Sequence, residues 1–407
     1  MVKKGYKQTE VGVIPEDWEC VRIKDVATIS MCKRIFANQT NTIGDVPFYK
    51  IGTFGKEADA YISNKLYVEF RYKFSFPQKG DILISAAGTL GRTVRYDGEK
   101  AYFQDSNIVW LDINKTRLCN EYLNQYYKVI KWASSEGSTI ARLYNGIIYA
   151  TYIPLPPLPE QHRIAEALSD VDGMISSLEK LIAKYKSIKA ACLQQMFPQN
   201  GETVPRMRLP GFTDDWEQRK LNEITDVRDG THDSPKYVPE GHPFITSKNV
   251  SNGFINYDDV QYVADEDYEE INKRSNVDVH DILMGMIGTI GNLALIRKEP
   301  NFAIKNVALI KYTGGIDYQY LFQALQANCV TSQLSTGMDG GTQKFVSLKK
   351  IRELDIPFPE EHEQLKIGAY FLYLDHLITL YQRKLKKVQK IKQGMMQQLL
   401  TGKIRLV

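Results

Sequence analysis

The chain has 407 residues, 43% hydrophobic and 25% charged, with a net charge of +4. That length holds two or three domains whose cores need no covalent staple, and the mild positive charge allows a local basic face without demanding a nucleic-acid partner. Five scattered cysteines without a CxxC pair, no apolar run at the N-terminus and no stretch of 18 apolar residues predict free thiols in a soluble cytoplasmic protein, against the disulfide-stapled, secreted and membrane classes.

Residues 1–157 read as one globular unit. Asp81–Ser85 and Ile108–Leu111 are short apolar runs bounded by turn residues, hence buried strands. Between them, Gly88-Thr89-Leu90-Gly91 supplies glycines for a tight turn. Tyr122–Trp132 has helical spacing, and Arg71, Tyr72 and Lys73 fall in what reads as a loop. The unit ends at a proline-rich stop, Ile153-Pro154-Leu155-Pro156-Pro157-Leu158-Pro159.

Residues 158–197 then carry apolar positions at Ile164, Leu168, Val171, Ile175, Leu178, Ile182, Tyr185, Cys192 and Met196, interrupted by Lys189. Alternating steps of four and three give a period of 3.5, a coiled-coil seam. A helix of this length runs roughly 57 Å at 1.5 Å per residue, and its seam needs a partner. After a polar linker, 198–210, a second globular unit occupies 211–359. Its strands are predicted at Ile282–Met286 and Val307–Tyr312, its turn at Gly288-Thr289-Ile290-Gly291 and a helix at Tyr318–Ala327. A second stop, Ile356-Pro357-Phe358-Pro359, opens the last segment, 360–407. Its seam is Ile367, Phe371, Leu374, Ile378, Tyr381, Leu385, Val388, Met395 and Leu399, interrupted by Lys392. Every position, the lysine included, stands 203 residues after its counterpart in the first seam.

The globular halves repeat at landmarks. Asp17-Trp18-Glu19 answers Asp215-Trp216-Glu217, the two GTxG turns correspond, and Asn107-Ile108-Val109 answers Asn306-Val307-Ala308. The order is globular, helix, globular, helix, so the two helices are expected to pack antiparallel as partners within one chain. Their basic C-terminal halves complement the helix dipole or attract a phosphate backbone.

Chemistry-bearing motifs are missing. There is no GxxxxGK[ST], HExxH or GxSxG, and no Asn/Asp-Pro-Pro-aromatic tetrapeptide. The six histidines show no ligand spacing, and the acidic clusters Asp258-Asp259 and Asp265-Glu266-Asp267 read as solvated surface, so no metal site is expected. What recurs around the landmarks is Arg, Lys, Asn, Gln, Ser and Thr, the side chains that contact phosphates and base edges. In the first half these candidates are Lys50, Thr53, Arg71, Lys73, Thr89, Arg92, Arg95, Gln104, Asn107 and Arg142. In the second they are Ser247, Lys248, Asn249, Thr289, Asn292, Lys305, Asn306, Thr342, Gln343 and Lys344. Two readings stay open on the residues alone: a DNA-reading scaffold, or a protein-interaction scaffold with a coiled-coil spacer.

The stop Ile153–Pro159 followed by Glu160-Gln161 and Arg163-Ile164-Ala165 resembles the specificity subunits of type I restriction-modification systems. So do the distal Ile356-Pro357-Phe358-Pro359 with Gln364, the approach Gly341-Thr342-Gln343-Lys344-Phe345-Val346-Ser347-Leu348-Lys349, and the ending Gln397-Gln398-Leu399-Leu400-Thr401-Gly402-Lys403-Ile404-Arg405. The first half departs from the approach, with Ile140-Ala141-Arg142 where the second has Gln343-Lys344-Phe345. The resemblance implies a mixed α/β fold: two globular α+β target recognition domains separated by two long antiparallel coiled-coil helices, with an internal pseudo-twofold repeat. It implies a non-catalytic subunit that binds double-stranded DNA, each globular domain reading one half of a bipartite site. It also implies modification (methyltransferase) subunits docked on the helices and a restriction (motor-nuclease) subunit. No cofactor is expected on this chain; S-adenosylmethionine, ATP and magnesium would be bound by the partners.

Overall fold

The computed structural model describes residues 3–133, 142–199, 201–335 and 345–407. The chain divides into two compact units, Met1–Leu178 with Lys384–Val407, and Glu179–Arg383. This division cuts through the long helices instead of falling at their heads. Each unit owns one globular body and a part of both helices.

The proline-rich stops lead into helices at Leu158–Gln195 and Glu361–Leu399. Pro159 lies in the first turn, where a missing N–H removes no helical hydrogen bond. In the first unit Ile164, Leu168, Leu178, Val388 and Leu399 are buried, and Val171, Ile175 and Leu385 are half-buried. In the second, Ile182, Ile367, Phe371 and Leu374 are buried, and Tyr185, Ile378 and Tyr381 are half-buried. Within each unit the helix parts run antiparallel. In the second, Tyr185 stacks on Tyr381 with ring centroids 5.7 Å apart, while Cys192 Sγ meets Tyr370 Oη at 3.7 Å, so partner numbers fall as helix numbers rise. In the first, Arg163 Nη1 donates to the Leu406 carbonyl at 2.9 Å and Lys392 pairs with Asp172.

Both globular bodies follow one plan. The first has a four-stranded antiparallel sheet in the order Ala27–Ser30, Ile108–Ile113, Ile82–Ser85, Thr93–Arg95. A three-stranded mixed sheet lies in the order Tyr61–Ile62, Val46–Tyr49, Tyr102–Phe103, its last two strands parallel. The second unit repeats this as Val227–Asp229, Val307–Ile310, Ile282–Gly285, Leu293–Leu295, and as Gln261–Val263, His242–Thr246, Ala303–Lys305. The central strands are mostly apolar and buried, Asp112 being their one exposed residue, because both faces are covered. Ile82 and Ile84 enter the core that packs on the long helices, and Leu83 enters a second core with Phe48, Phe54, Tyr67, Tyr96 and Tyr102. Ile282 and Met284 divide from Leu283 in the same way. The stops themselves are strands: Tyr152–Leu155 pairs with Glu19–Arg22, and Asp355–Phe358 with Glu217–Lys220.

Two expectations change. Arg71 and Lys73 lie on a helix, Asn64–Lys73, not in a loop. Its aromatic-rich sequence hides the period, but Ser63 caps it by accepting from the Leu66 N–H at 3.3 Å. Its counterpart Asp265–Ser275 has Asp265, Glu266 and Asp267 in the first turn and Lys273 and Arg274 in the last, as the helix dipole favours. The helix expected at Tyr122–Trp132 is shorter, Asn120–Tyr126, and Lys128 just beyond it turns to Asp172.

Candidate nucleic-acid interface

The candidate face is built outward from the helix heads, which set the angle at which each body leaves its helix. Glu160 is buried at the start of the first helix and accepts from Trp18 Nε1 at 2.9 Å and from Arg405 Nε at 2.7 Å and Nη2 at 2.8 Å. Glu363, at the same place in the second helix, accepts from Trp216 Nε1 at 3.0 Å and from Arg208 Nε and Nη2 at 2.8 Å each. A buried carboxylate is tolerable only when its lone pairs are filled, and a two-pronged guanidinium with an indole N–H fills them. The hydrogen bonds that Arg405 donates to Glu160 and Asp17 hold its guanidinium protonated well above its ordinary range, and those that Arg208 donates to Glu363 raise its own. The next residue anchors the body. Gln161 accepts from the Cys119 N–H at 3.0 Å and donates to the carbonyls of Arg117 at 2.7 Å and Pro156 at 2.8 Å. Gln364 accepts from the Asp317 N–H at 3.0 Å and donates to Pro359 at 2.8 Å. The repeated Trp and Glu-Gln therefore record one joint, used twice. Sequence reasoning missed its third member, because Arg208 and Arg405 follow their helices at different distances.

In the first unit the candidates converge where the chain crosses from the mixed sheet into the four-stranded sheet, through Gln104–Asn107, with Ser106 at φ 53°. Gln104 Oε1 accepts from the Ile51 N–H at 2.9 Å, and Thr53 Oγ1 accepts from the Lys50 N–H at 3.1 Å, shaping the adjoining turn. Arg92 Nη1 donates to the Phe54 carbonyl at 3.0 Å, while Ser85 Oγ ties the Arg92 N–H at 2.9 Å and the Thr89 carbonyl. Asn107 accepts from the Ala86 N–H through its carbonyl, and Arg142 Nη2 reaches Ser106 O at 2.9 Å and Oγ at 3.1 Å. Gly88 and Gly91 sit at φ 64° and 72°, a conformation that side chains avoid and this turn requires.

In the second unit the same crossing is a single residue, Asn306, at φ 52°. Ser247 Oγ donates to the Asn306 carbonyl at 2.7 Å and accepts from the Met286 N–H at 3.0 Å; Thr289 Oγ1 donates to the Ser247 carbonyl at 2.6 Å. Asn292 Nδ2 reaches Val250 O at 3.3 Å, and Asn249 Nδ2 reaches Asn256 O at 3.1 Å. Ser247 and Asn249 are buried and give their polar atoms to these loops, so they shape the face from beneath. Lys305, held to Ser234, and Lys248, paired with Asp259 at 2.9 Å, remain at the rim. Three candidates lie away from the crossing. Arg71 donates to Tyr67 Oη at 2.9 Å, Lys73 pairs with Glu69 at 3.0 Å and Arg95 with Asp97 at 3.3 Å. Lys50 pairs with Asp59 at 2.9 Å. Thr342, Gln343 and Lys344 lie outside the described residues.

Two groups that sequence reasoning passed over stand at the crossings. Arg34 Nε donates to Asp105 Oδ2 at 2.8 Å. His232 lies 2.7 Å from Asn306 Oδ1 through Nδ1 and 2.9 Å from Asp229 Oδ2 through Nε2. The bonds to Asn306 and Asp229 hold the His232 imidazolium above its ordinary range, over an opposing desolvation. Burial pushes the Cys32 thiol up to about 12 and Cys329 to about 11, far from thiolate reactivity. Cys119, Glu121 and His162 lie within ligand reach of one another, but burial also raises the Cys119 thiol. The arrangement offers a face of hydrogen-bonding and cationic groups on two rigid sheets.

A family model described as the type I restriction modification DNA specificity domain matches residues 15–189 and again 213–390. A Haemophilus influenzae protein provisionally assigned as a type I restriction enzyme specificity subunit is 54% identical over 173 residues, 42% of this chain and 45% of that protein. The MjaVIII type I restriction enzyme specificity subunit of Methanocaldococcus jannaschii is 25% identical over 419 residues, 99% of this chain and 97% of its own. Among solved structures, the S subunit of a type I restriction-modification system from M. genitalium shares the fold with a TM-score of 0.58 at 18% identity, over 94% of this chain and 96% of that one.

Proposed function

This chain belongs to the type I restriction modification DNA specificity family, and from that premise we propose that its two globular bodies each read one half of a bipartite site on double-stranded DNA. The observation that carries the reading is the doubled crossing. In each unit the same sheet plan brings hydrogen-bonding side chains to one place, the basic and amide Arg92, Asn107 and Arg142 in the first and Lys305 and Asn306 with the hydroxyl of Thr289 in the second. Sequence is read by such groups on base edges, while lysines and arginines at the rim hold phosphates and set the salt dependence. The chain has no catalytic task; it directs modification and restriction subunits, which dock on the long helices and bring the cofactors. The helices act as the spacer between half-sites.

Selection of random duplexes by the full complex tests this. Two short motifs at constant separation are expected, and one uninterrupted motif would overturn the reading. Removing one heptad from each helix keeps the seam and shortens each by about 10 Å. The separation should then shrink by about three base pairs at roughly 3.4 Å each, with both half-site sequences unchanged. An unchanged separation would remove the spacer role.

A further inference from the structure

The two crossings hold their side chains by different means, and the difference has a chemical consequence. In the first unit the strand Ala27–Ser30 runs into a loop whose Arg34 is tied to Asp105 at 2.8 Å. In the second the strand Val227–Asp229 runs into a loop whose His232 is tied to Asn306 at 2.7 Å. The position is equivalent: the first loop of the body is clamped to the turn between its two sheets. The clamp in the second unit is tightly placed. A Cβ on Gly230 would strike the Ile304 carbonyl, so only glycine lets the strand pass, and Thr231 then bridges to Lys305. A guanidinium such as that of Arg34 can only donate and a carboxylate such as that of Asp105 can only accept. His232 titrates, and Asn306 has an amide that can either accept or donate.

We propose that the charge on His232 sets which end of the Asn306 amide faces outward, and so which kind of base edge the second unit selects at one position of its half-site. This rests on the reading that the crossings face DNA. When His232 is charged, both ring nitrogens donate: Nε2 to Asp229 Oδ2 and Nδ1 to Asn306 Oδ1. Asn306 then turns its NH₂ outward, a donor that suits acceptor edges such as guanine O6 and N7 or thymine O4. When His232 is neutral, the proton stays on Nε2 against the Asp229 carboxylate, and the bare Nδ1 becomes an acceptor. Asn306 satisfies it only by turning its NH₂ inward and Oδ1 outward. That suits donor edges, adenine N6 or cytosine N4. Asp229, itself buried, also accepts from Arg274 Nη2 at 2.7 Å through its other oxygen, Oδ1. The other charged groups nearby are Asp233 on the same loop and Lys305, which is held to Ser234. His232 is thus a positioning residue, and Asn306 the reading one.

The test is selection from random duplexes by the full complex at pH 6 and pH 8, at fixed ionic strength. Wild type should select the same first half-site at both values, while one position of the second changes from an acceptor-edge to a donor-edge base. Affinity for the duplex selected at pH 6 should fall about tenfold at pH 8. His232→Gln should select identically at both pH values. Asn306→Asp, which can only accept, should select at both values what wild type selects at pH 8. Melting within a few degrees of wild type qualifies each variant as folded. If a bipartite motif is selected but is the same at both pH values, or if His232→Gln keeps the wild-type pH dependence, this inference is overturned and the half-site reading survives. If no bipartite motif is selected at either pH, the half-site reading fails with it.

Discussion

The helix heads and the crossings are both present twice, yet only the heads are copied closely. At the heads Trp18, Glu160, Gln161 and Arg405 correspond to Trp216, Glu363, Gln364 and Arg208, with matching donors and matching oxygens. At the crossings only the sheet plan is kept. Four residues separate the strands in one unit and one in the other, and an arginine–carboxylate clamp in the first corresponds to a histidine–amide clamp in the second. The core behind the first crossing is rich in aromatics, with Phe48, Phe54, Tyr67, Tyr96 and Tyr102, whereas the second is mainly aliphatic, with Ile245, Val250, Leu283, Ile304 and Leu309. A buried charge permits few solutions, so its surroundings repeat. An exposed face on a fixed sheet permits many, and under the proposed function the two faces must differ if the two half-sites differ.

The largest expected effect breaks the heads. Glu160→Ala leaves Arg405 and the Trp18 indole without their acceptor and should cost the first unit about 3–5 kcal/mol. Glu363→Ala should cost the second unit a similar amount, since Arg208 and Trp216 lose theirs. Hydrogen exchange during a denaturant series reads each unit separately. Unequal losses, differing by more than about 2 kcal/mol, would show that the two joints are alike in geometry only.

Next comes the seam. Lys189 Nζ lies 2.7 Å from Asp375 Oδ1 in the second unit, and Lys392 pairs with Asp172 in the first. Asp172 and Asp375 stand 203 apart, as do the lysines, so a single ion pair occurs twice. Each lysine that interrupts the seam answers an aspartate of its own unit. Asp375→Asn should cost about 1–2 kcal/mol, and the reversed pair Lys189→Asp with Asp375→Lys should recover at least half. A double-mutant cycle measures the coupling, and a value near zero would make the seam purely apolar in effect.

How much of this could be read from sequence follows from how regular each feature is. The seam was legible because a period of 3.5 leaves a mark at every turn, and the repeat because Trp18 and Glu160 must recur for the joint to close. Asp172 and Asp375 carried the same signal at the same interval, but lie off the apolar positions. Arg208 and Arg405 were not legible, because what matters is where they end in space, 11 residues after Phe197 and five after Leu400. The helix Asn64–Lys73 was lost for want of a clean period. At the crossings composition picked out Arg92, Asn107, Arg142 and Asn306, which the fold gathers there. It could not separate Ser247 and Asn249, buried under the face, from residues on it. Arg34 and His232 stand 198 apart, the interval that also separates Trp18 from Trp216, but an arginine and a histidine share no side-chain identity that would mark them as a pair.

The smallest effect concerns the one place where the seam networks differ. Asp172 takes Lys128 at 2.8 Å in addition to Lys392 and Gln125 at 3.1 Å, whereas Asp375 takes Lys189 and, more weakly, Gln323 at 3.4 Å. The residue answering Lys128 is Gln326, which bonds Gln323 Oε1 at 3.3 Å instead. Burial works to raise the Asp172 carboxyl, but the bonds from Lys128 and Lys392 outweigh it and hold the group below its ordinary value. That contribution to stability is present above the ordinary carboxylate range and is lost as pH falls through the depressed value. Lys128 has the opposite sign: burial, aided by the neighbouring Lys392, lowers its ammonium against the pull of Asp172, so keeping it charged opposes folding at neutral pH. Lys128→Gln removes the ammonium and one of the bonds that depress Asp172, leaving those from Lys392 and Gln125, and makes the first network resemble the second. Stability at pH 7 should change by less than about 0.5 kcal/mol, while the Asp172 carboxyl, followed by NMR, should titrate closer to its ordinary value. A loss above about 1 kcal/mol would mean that Lys128 secures the helix pair in a way the second unit does without.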